Sequence, residues 1–436
     1  MGWDRLSRRR FVGAGALVAG SAVLGAPSST FAAPVVRHRE AGQAQDVVEV
    51  TFHHIWGTPP GTAGGDKKSR AEEVIDLFNA KNTGVKVVSR TDSGSYYDVL
   101  LKTQAELAAG NGPALVSTPW ANINWAAEGL GLVPLDDVAG DDLGAVLGNL
   151  REDVIPLVQI DGKTMGMPYA FSNPVIYYNQ EMLDEAGVDP AELLSDWDVL
   201  LNELGPKVKE ATGGPVLGLT DGQWAAQGIA QSNGGFIMND ENVFVMDSPE
   251  TTGAMAKIAE LDAAGILNRS TRKEETMSFV GGSLPCYYAS IASLSGLRDQ
   301  VQFTMGVSTF PTFGEKERLM SSGGSFIGMY AREAEQQQAA WEFLKFAASE
   351  EGYTPWAQMG YLNATTFDMP MLEGQEAAYT QLEEGVTRET PWPTERGGEL
   401  AAIWATMVSR IWQNDISAEE GCAEVAAELN GMIGNS

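Results

Sequence analysis

The chain has 436 residues, enough for two lobes that each enclose a core. Apolar residues make up 44% and charged residues 20%, the composition of a water-soluble globular protein. Its formal net charge is −29, from 58 acidic against 29 basic residues, which argues against nucleic acid and anionic membrane surfaces as partners, because a phosphate backbone is held by lysine and arginine.

The N-terminal run "SRRRFVGAGALVAGSAVLGAPSSTFAA" sets Arg8 and Arg9 before a weakly apolar segment from Phe11 to Ala26. That segment is too short to span a bilayer and rich in glycine and alanine, so residues 1–32 read as a removable signal. Ser7 to Phe11 resembles the twin-arginine export motif; a general secretory signal with a basic start is the alternative. No cysteine follows the apolar run, so no lipid anchor is expected. Residues 33–46 read as a disordered linker.

From residue 47 strand and helix signals alternate. "VVEVTFHHIW" is β-rich, "AEEVIDLFNAKNTG" puts Val74, Leu77 and Phe78 on one helical face before Gly84, and "VKVVSR" is the next strand. "YYDVLLKTQAELAAGNGP" follows as helix, "ALVSTP" as strand and "ANINWAAEGL" as helix. This order implies parallel pairing with crossover helices. "IDGKTMG" is a hairpin signal, and "MPYAFSNPVIYYNQEML" is a tyrosine-rich β run that turns into helix. Ser195 or Asp196 caps a helix striped by Trp197, Leu200, Leu201 and Leu204; Ser248-Pro249 opens another, with Met255, Ile258 and Leu261 inward. The fold class is α/β with two sheets.

Signatures of chemistry are few. Of three histidines, His53 and His54 are adjacent in a strand, so their side chains face opposite ways and do not share a metal. Neither C-x-x-C, H-E-x-x-H, G-x-S-x-G nor the P-loop pattern occurs. No metal or cofactor is expected. A carboxylate pair for glycoside hydrolysis stays open, since 58 acids offer many pairs and the relevant separation is spatial. Cys286 reads as a buried strand residue, and its spacing to Cys422 says nothing about a bridge. What stands out is tryptophan in loops: Trp56, Trp120, Trp125, Trp224, Trp356, Trp392 and Trp404. Aromatic faces beside hydroxyls and amides hold sugars and polyols, although each ring alone also fits ordinary packing.

The series D-G-K, G-x-P, Y-Y-N, A-G-x-D-P and W-x-x-L in "IDGKTMGMPYAFSNPVIYYNQEMLDEAGVDPAELLSDWDVLLNEL" resembles the extracellular solute-binding proteins that feed ABC importers for sugars. Within them it is most similar to the glycerol-3-phosphate-binding proteins. Further patches, from "GNGPALV" through "SSGGSFIGM" and "MGYLNATT" to "RGGELAAIW", extend the resemblance over roughly residues 48 to 433.

The resemblance implies a two-lobe binding-protein fold with crossing strands and a ligand cleft that closes by a hinge. The first crossing falls in "YAFSNPVIYYN", the others near "SLPCYYAS" and "GGSFIGMYA". One lobe is then 47–172 with 285–328, the other 173–284 with 329–436. The resemblance also implies ligand contacts: Tyr96 in "GSYYD", Ser172, Trp224 in "DGQWAAQ", Ser290 in "YYAS", Gly324 in "GGS", Tyr361 in "GYL", and Arg396 in "RGGEL" as the phosphate-facing arginine. An ion pair within the protein is the other reading of Arg396. Trp120 stands where those binders keep a glutamate, which favours a ring or a bulkier head group over glycerol phosphate. The expectation is an exported, non-catalytic, monomeric protein that takes a sugar or phosphorylated polyol to ABC permease subunits. An exported glycan-active enzyme is the alternative.

Overall fold

The computed structural model describes residues 37–38, 47–56, 69–81, 83–91, 95–219, 223–385 and 387–434. The signal expected over 1–32 lies outside them, as does most of 33–46. The stretch expected as a disordered linker nevertheless carries a strand: β1 (Arg37–His38) pairs antiparallel with the start of β2 (Val47–His53), satisfying backbone groups at the sheet edge.

The alternation that follows is as the sequence predicts. A helix over Arg70–Asn79 connects β2 to β3 (Val85–Arg90), and a helix over Tyr96–Ala108 leads to β4 (Leu115–Pro119). Ser69 starts the first helix with a capping box: its hydroxyl accepts from Glu72 N at 3.3 Å while its own N–H donates to Glu72 Oε2 at 2.8 Å. Val74, Ile75 and Phe78 are buried, with Leu77 at the margin. β2 runs parallel to both β3 and β4. "ANINWAAEGL" departs from the expected helix: it forms a 3-10 turn over Trp120–Asn122 and a π turn over Trp125–Gly129, neither with a side-chain cap. β5 (Gln159–Ile160) and β6 (Lys163–Thr164) make the expected hairpin, with Asp161 and Gly162 at φ 50° and 77°.

β7 (Gly166–Ser172) and β8 (Pro174–Asn179) are separated by Asn173 alone and belong to different sheets. The chain crosses there, as expected. β9 (Leu217–Gly218), β10 (Cys286–Ser290) and β11 (Met305–Ser308) join β8 in a four-stranded sheet of order β11–β8–β10–β9. β12 (Ser321–Met329) returns to the larger sheet, antiparallel to β4 on one side and β7 on the other, and β13 (Thr387–Arg388) pairs with its first residues.

The division of the later chain differs from the one expected. β10 and β11 flank β8, so 286–308 lies in the second sheet and not with 47–172. Alternation explains it: Tyr177, Tyr287 and Ala289 are buried on one face, and Ile176, Cys286 and Tyr288 on the other, so both faces of this sheet need cover. The helices Ala334–Ala347 and Glu350–Ala357 pack Trp341, Phe343, Tyr353 and Trp356 into the core of the first sheet, not the second. The helices Gly397–Trp412 and Ala418–Met432 pack Trp404, Cys422 and Leu429 into the second. The two expected amphipathic helices are present: Asp196 caps the helical run from Trp197 and Ser248 the helix Pro249–Ala263, whose Met255, Ile258 and Leu261 are buried. Cys286 and Cys422 are both buried and unbridged.

Candidate functional site: a cleft at the strand crossing

A cleft of about 730 Å³ opens where the two sheets meet, beside the β7–β8 crossing. Its first wall is built on Trp56, which follows β2. The Trp56 ring stands edge-on to Tyr96 at 5.9 Å, to Tyr169 at 5.1 Å and to Trp356 at 5.3 Å. Ser95 caps the helix Tyr96–Ala108 and so aims its first two residues, Tyr96 and Tyr97, at the cleft. The Tyr96 hydroxyl is 2.8 Å from Ser325 Oγ, which donates to Tyr169 OH at 2.7 Å; Ser117 Oγ lies 2.7 Å from the same phenol. Burial raises the phenols of Tyr96 and Tyr361 well above the ordinary tyrosine range, so both are neutral hydrogen-bonding groups at any physiological pH.

The floor is the end of β7 against the start of β12. Ser172 donates to Gly323 O at 3.4 Å. Gly324 has φ 151°, and a Cβ there would stand 1.8 Å from Ala170 O, so only glycine lets the two strands pass this closely. The far wall carries Trp224, at the start of the helix Gln223–Ser232, with Arg272, Ser290, Glu389 and Trp392. Arg272 lies over the Tyr288 ring at 5.5 Å. Ser290 accepts from Ala292 N at 3.2 Å as the cap of a short turn.

Six of the eight residues singled out in the sequence line this cleft: Tyr96, Ser172, Trp224, Ser290, Gly324 and Tyr361. Trp120 does not. It is 0% exposed and packs on Phe171 at 5.8 Å, because the 3-10 turn after β4 turns the indole beneath β12 instead of into the opening. Its neighbours Ala121 and Asn122 reach the cleft in its place. Arg396 is not in the lining either. It is exposed at the start of the helix Gly397–Trp412, where Nε donates to Glu399 Oε2 at 2.8 Å, so the carboxylate three residues on captures the guanidinium. The ion pair within the protein, the other reading of Arg396, is present.

Sequence reasoning missed other lining residues. Trp56 and Trp392 were noted as loop tryptophans, and Tyr97 adjoins a residue already singled out. Arg272 and Glu389 gave no signal: one reads as the first turn of a helix capped by Thr271, the other as one acid among 58. Among the described residues no group of three histidines, cysteines or acids could hold a metal ion.

Residues 73–367 match the family model of bacterial extracellular solute-binding proteins, and the chain belongs to that family. The sn-glycerol-3-phosphate-binding periplasmic protein UgpB of Escherichia coli K12 is 27% identical over 355 residues, 76% of this chain and 78% of that protein. In fold, the chain is similar to the ABC substrate-binding protein Lmo0181 from Listeria monocytogenes, solved in complex with cycloalternan, with a TM-score of 0.75 at 19% identity over 89% of this chain and 99% of that one. UgpB from Mycobacterium tuberculosis, solved with glycerophosphocholine, gives 0.74 at 20% identity over 87% and 98%.

Proposed function

We propose that this protein is the exported solute-capture component of an ABC importer, taking a carbohydrate or a glycerol-phosphate-type solute into the cleft and delivering it to permease subunits. The observation that carries the reading is the position of the cleft. Aromatic walls on the two sides, Trp56 and Tyr96 on one and Trp224 on the other, flank the cleft beside a single-residue crossing at Asn173. Rings cover the apolar face of a polyol while Ser172, Ser290 and Asn122 meet its hydroxyls. Rotation about the crossing brings the walls together and buries the solute. Tyr96, Ser172, Trp224, Ser290, Gly324 and Tyr361 are the proposed solute contacts.

The protein acts without catalysis, as a monomer. Export uses residues 1–32 as a twin-arginine signal, and the mature chain works outside the cytoplasm. A thermal-shift screen of the mature protein over sugars, sugar phosphates and glycerophosphodiesters tests the reading, because a ligand bound only by the folded state raises the melting temperature by mass action. Saturable stabilisation without turnover supports it. Turnover of a glycoside, or no stabilisation by any of these solutes, overturns it.

A further inference from the structure

Glu389 and Arg272 are the only charged side chains among the described residues that line the cleft. Glu389 is held from several sides. Its N–H donates to Ser322 O at 3.2 Å, and the next N–H, of Thr390, donates to Oε1 of the fully buried Gln227 at 2.9 Å. The residue is only 9% exposed, and its side-chain partner is the neutral amide of Gln223. No cation of the described protein compensates it, and Arg272 is drawn onto the Tyr288 ring.

Keeping a carboxylate from water without a paired cation is unfavourable, and the ordinary remedy is a cation in contact. Among the described lining residues no cation pairs with it, yet the same cleft is lined by aromatic side chains: Trp224, next in the chain to the Gln223 that meets the acid, with Tyr97 and Tyr361. An acid beside aromatic faces is the chemistry that recognises a positively charged nitrogen, the rings supplying cation–π attraction and the carboxylate the counter-charge. The net charge of −29 draws cations toward the molecule and repels simple anions.

We infer that the solute of this cleft carries an ammonium or quaternary ammonium group, which docks against Glu389 beside the Trp224 ring while its hydroxyl or phosphate part turns to Ser172, Ser290 and the first-wall tyrosines. This rests on the cleft being the solute site. It narrows the solute to polyol derivatives that bear a cation. Burial raises the Glu389 carboxyl to about 7, so a docking cation also expels a proton from the part of the population that is protonated at neutral pH.

The test is titration calorimetry on the mature chain near pH 7 with two matched pairs of probes: glycerol 3-phosphate against glycerophosphocholine, and glucose against glucosamine. The cationic member of at least one pair binds about tenfold tighter than its partner. Its binding heat changes between buffers of different ionisation enthalpy, because a proton is released. Glu389→Gln removes both the preference and the proton release; Glu389→Asp, which keeps the charge, retains part of the preference. If non-cationic probes bind as well as cationic ones and Glu389→Gln changes nothing, the inference is overturned while the solute-capture reading stands. If none of the four binds, the reading of the cleft falls and the inference with it.

Discussion

The indole of Trp224 rests on the backbone of Gly323: a Cβ added at that glycine would stand 2.3 Å from Trp224 Cζ2. The ring is therefore seated by the absence of a side chain on β12, and the strand that forms the floor of the cleft also fixes the orientation of its far wall. Gly324, one residue on, faces Trp120 on the core side, where its Cβ would lie 2.9 Å from that indole. Two glycines thus hold two tryptophans, one in the cleft and one in the core.

Gly323→Ala is expected to push Trp224 off its seat without unfolding the protein, since Trp224 is only half-buried and has room to move. Overpacking of this kind costs about 1–3 kcal/mol of stability. Solute affinity should fall by about tenfold as the ring loses its alignment, with a change in tryptophan emission. Titration of the variant with a solute found by the thermal-shift screen checks this; an unaltered affinity would show that the ring does not contact solute.

Trp120 carries the opposite expectation. With its ring fully buried against Phe171, Trp120→Ala opens a cavity and should lower unfolding stability by about 3–5 kcal/mol in urea titrations. Affinity measured at a temperature where the variant is folded should change little. A large affinity loss with intact stability would put the indole in the cleft after all.

For Arg396 the pair with Glu399 sets the expectation against the "RGGEL" resemblance. Because its guanidinium is exposed and paired with Glu399, Arg396→Ala should leave solute affinity and its salt dependence unchanged. Calorimetry at low and high ionic strength distinguishes this from a phosphate contact, whose loss would flatten the salt dependence.

What was legible in the sequence was local or alternating. The capping residues Ser69, Asp196 and Ser248, the Asp161-Gly162 hairpin and the β–α–β order of the first lobe depend on neighbours in the chain, so spacing reveals them. The crossing at Asn173 was legible through the resemblance of "YAFSNPVIYYN" to the first crossing strand of the solute-binding proteins, which β-formers flanking Ser172-Asn173-Pro174 suit. The fate of each tryptophan was not: Trp56 and Trp120 both follow parallel strands, and only the placement of β12 over the 3-10 turn sends one to the cleft and the other to the core. The pairing of β10 with β8 instead of with the first sheet was hidden for the same reason, since both faces of that strand are apolar and alternation names no partner. Glu389 could not be singled out because its significance lies in what is missing around it.

Export offers a prediction independent of the fold. Replacing both Arg8 and Arg9 by lysine keeps the positive start of the signal but removes the arginine pair. Precursor should accumulate in the cytoplasm, as seen by fractionation and immunoblotting. Normal processing of the double variant would assign residues 1–32 to the general secretory route.

The acid in the cleft should also leave a mark on stability. Its folded carboxyl titrates at about 7 against an ordinary 4.5, raised by burial and only partly offset by Gln223. A group whose folded value is raised favours the native state below its unfolded value, and that stabilisation is lost as pH rises from about 4.5 through 7. Between pH 5 and pH 8 the loss is on the order of 2 to 3 kcal/mol. His54 acts in the opposite sense over part of the same window. Burial and the adjacent His53 lower it from 6.5 to about 3, so the native state gains stability as pH rises toward 6.5. The two trends oppose each other, and the wild-type pH profile alone conceals both. The informative quantity is the difference between wild type and Glu389→Gln in urea titrations at pH 5 and pH 8, because His54 contributes equally to both proteins. Wild type should lose stability relative to the glutamine variant as pH rises across this range. A difference independent of pH would mean that Glu389 titrates as an ordinary carboxylate, and its isolation in the cleft would then be disproved.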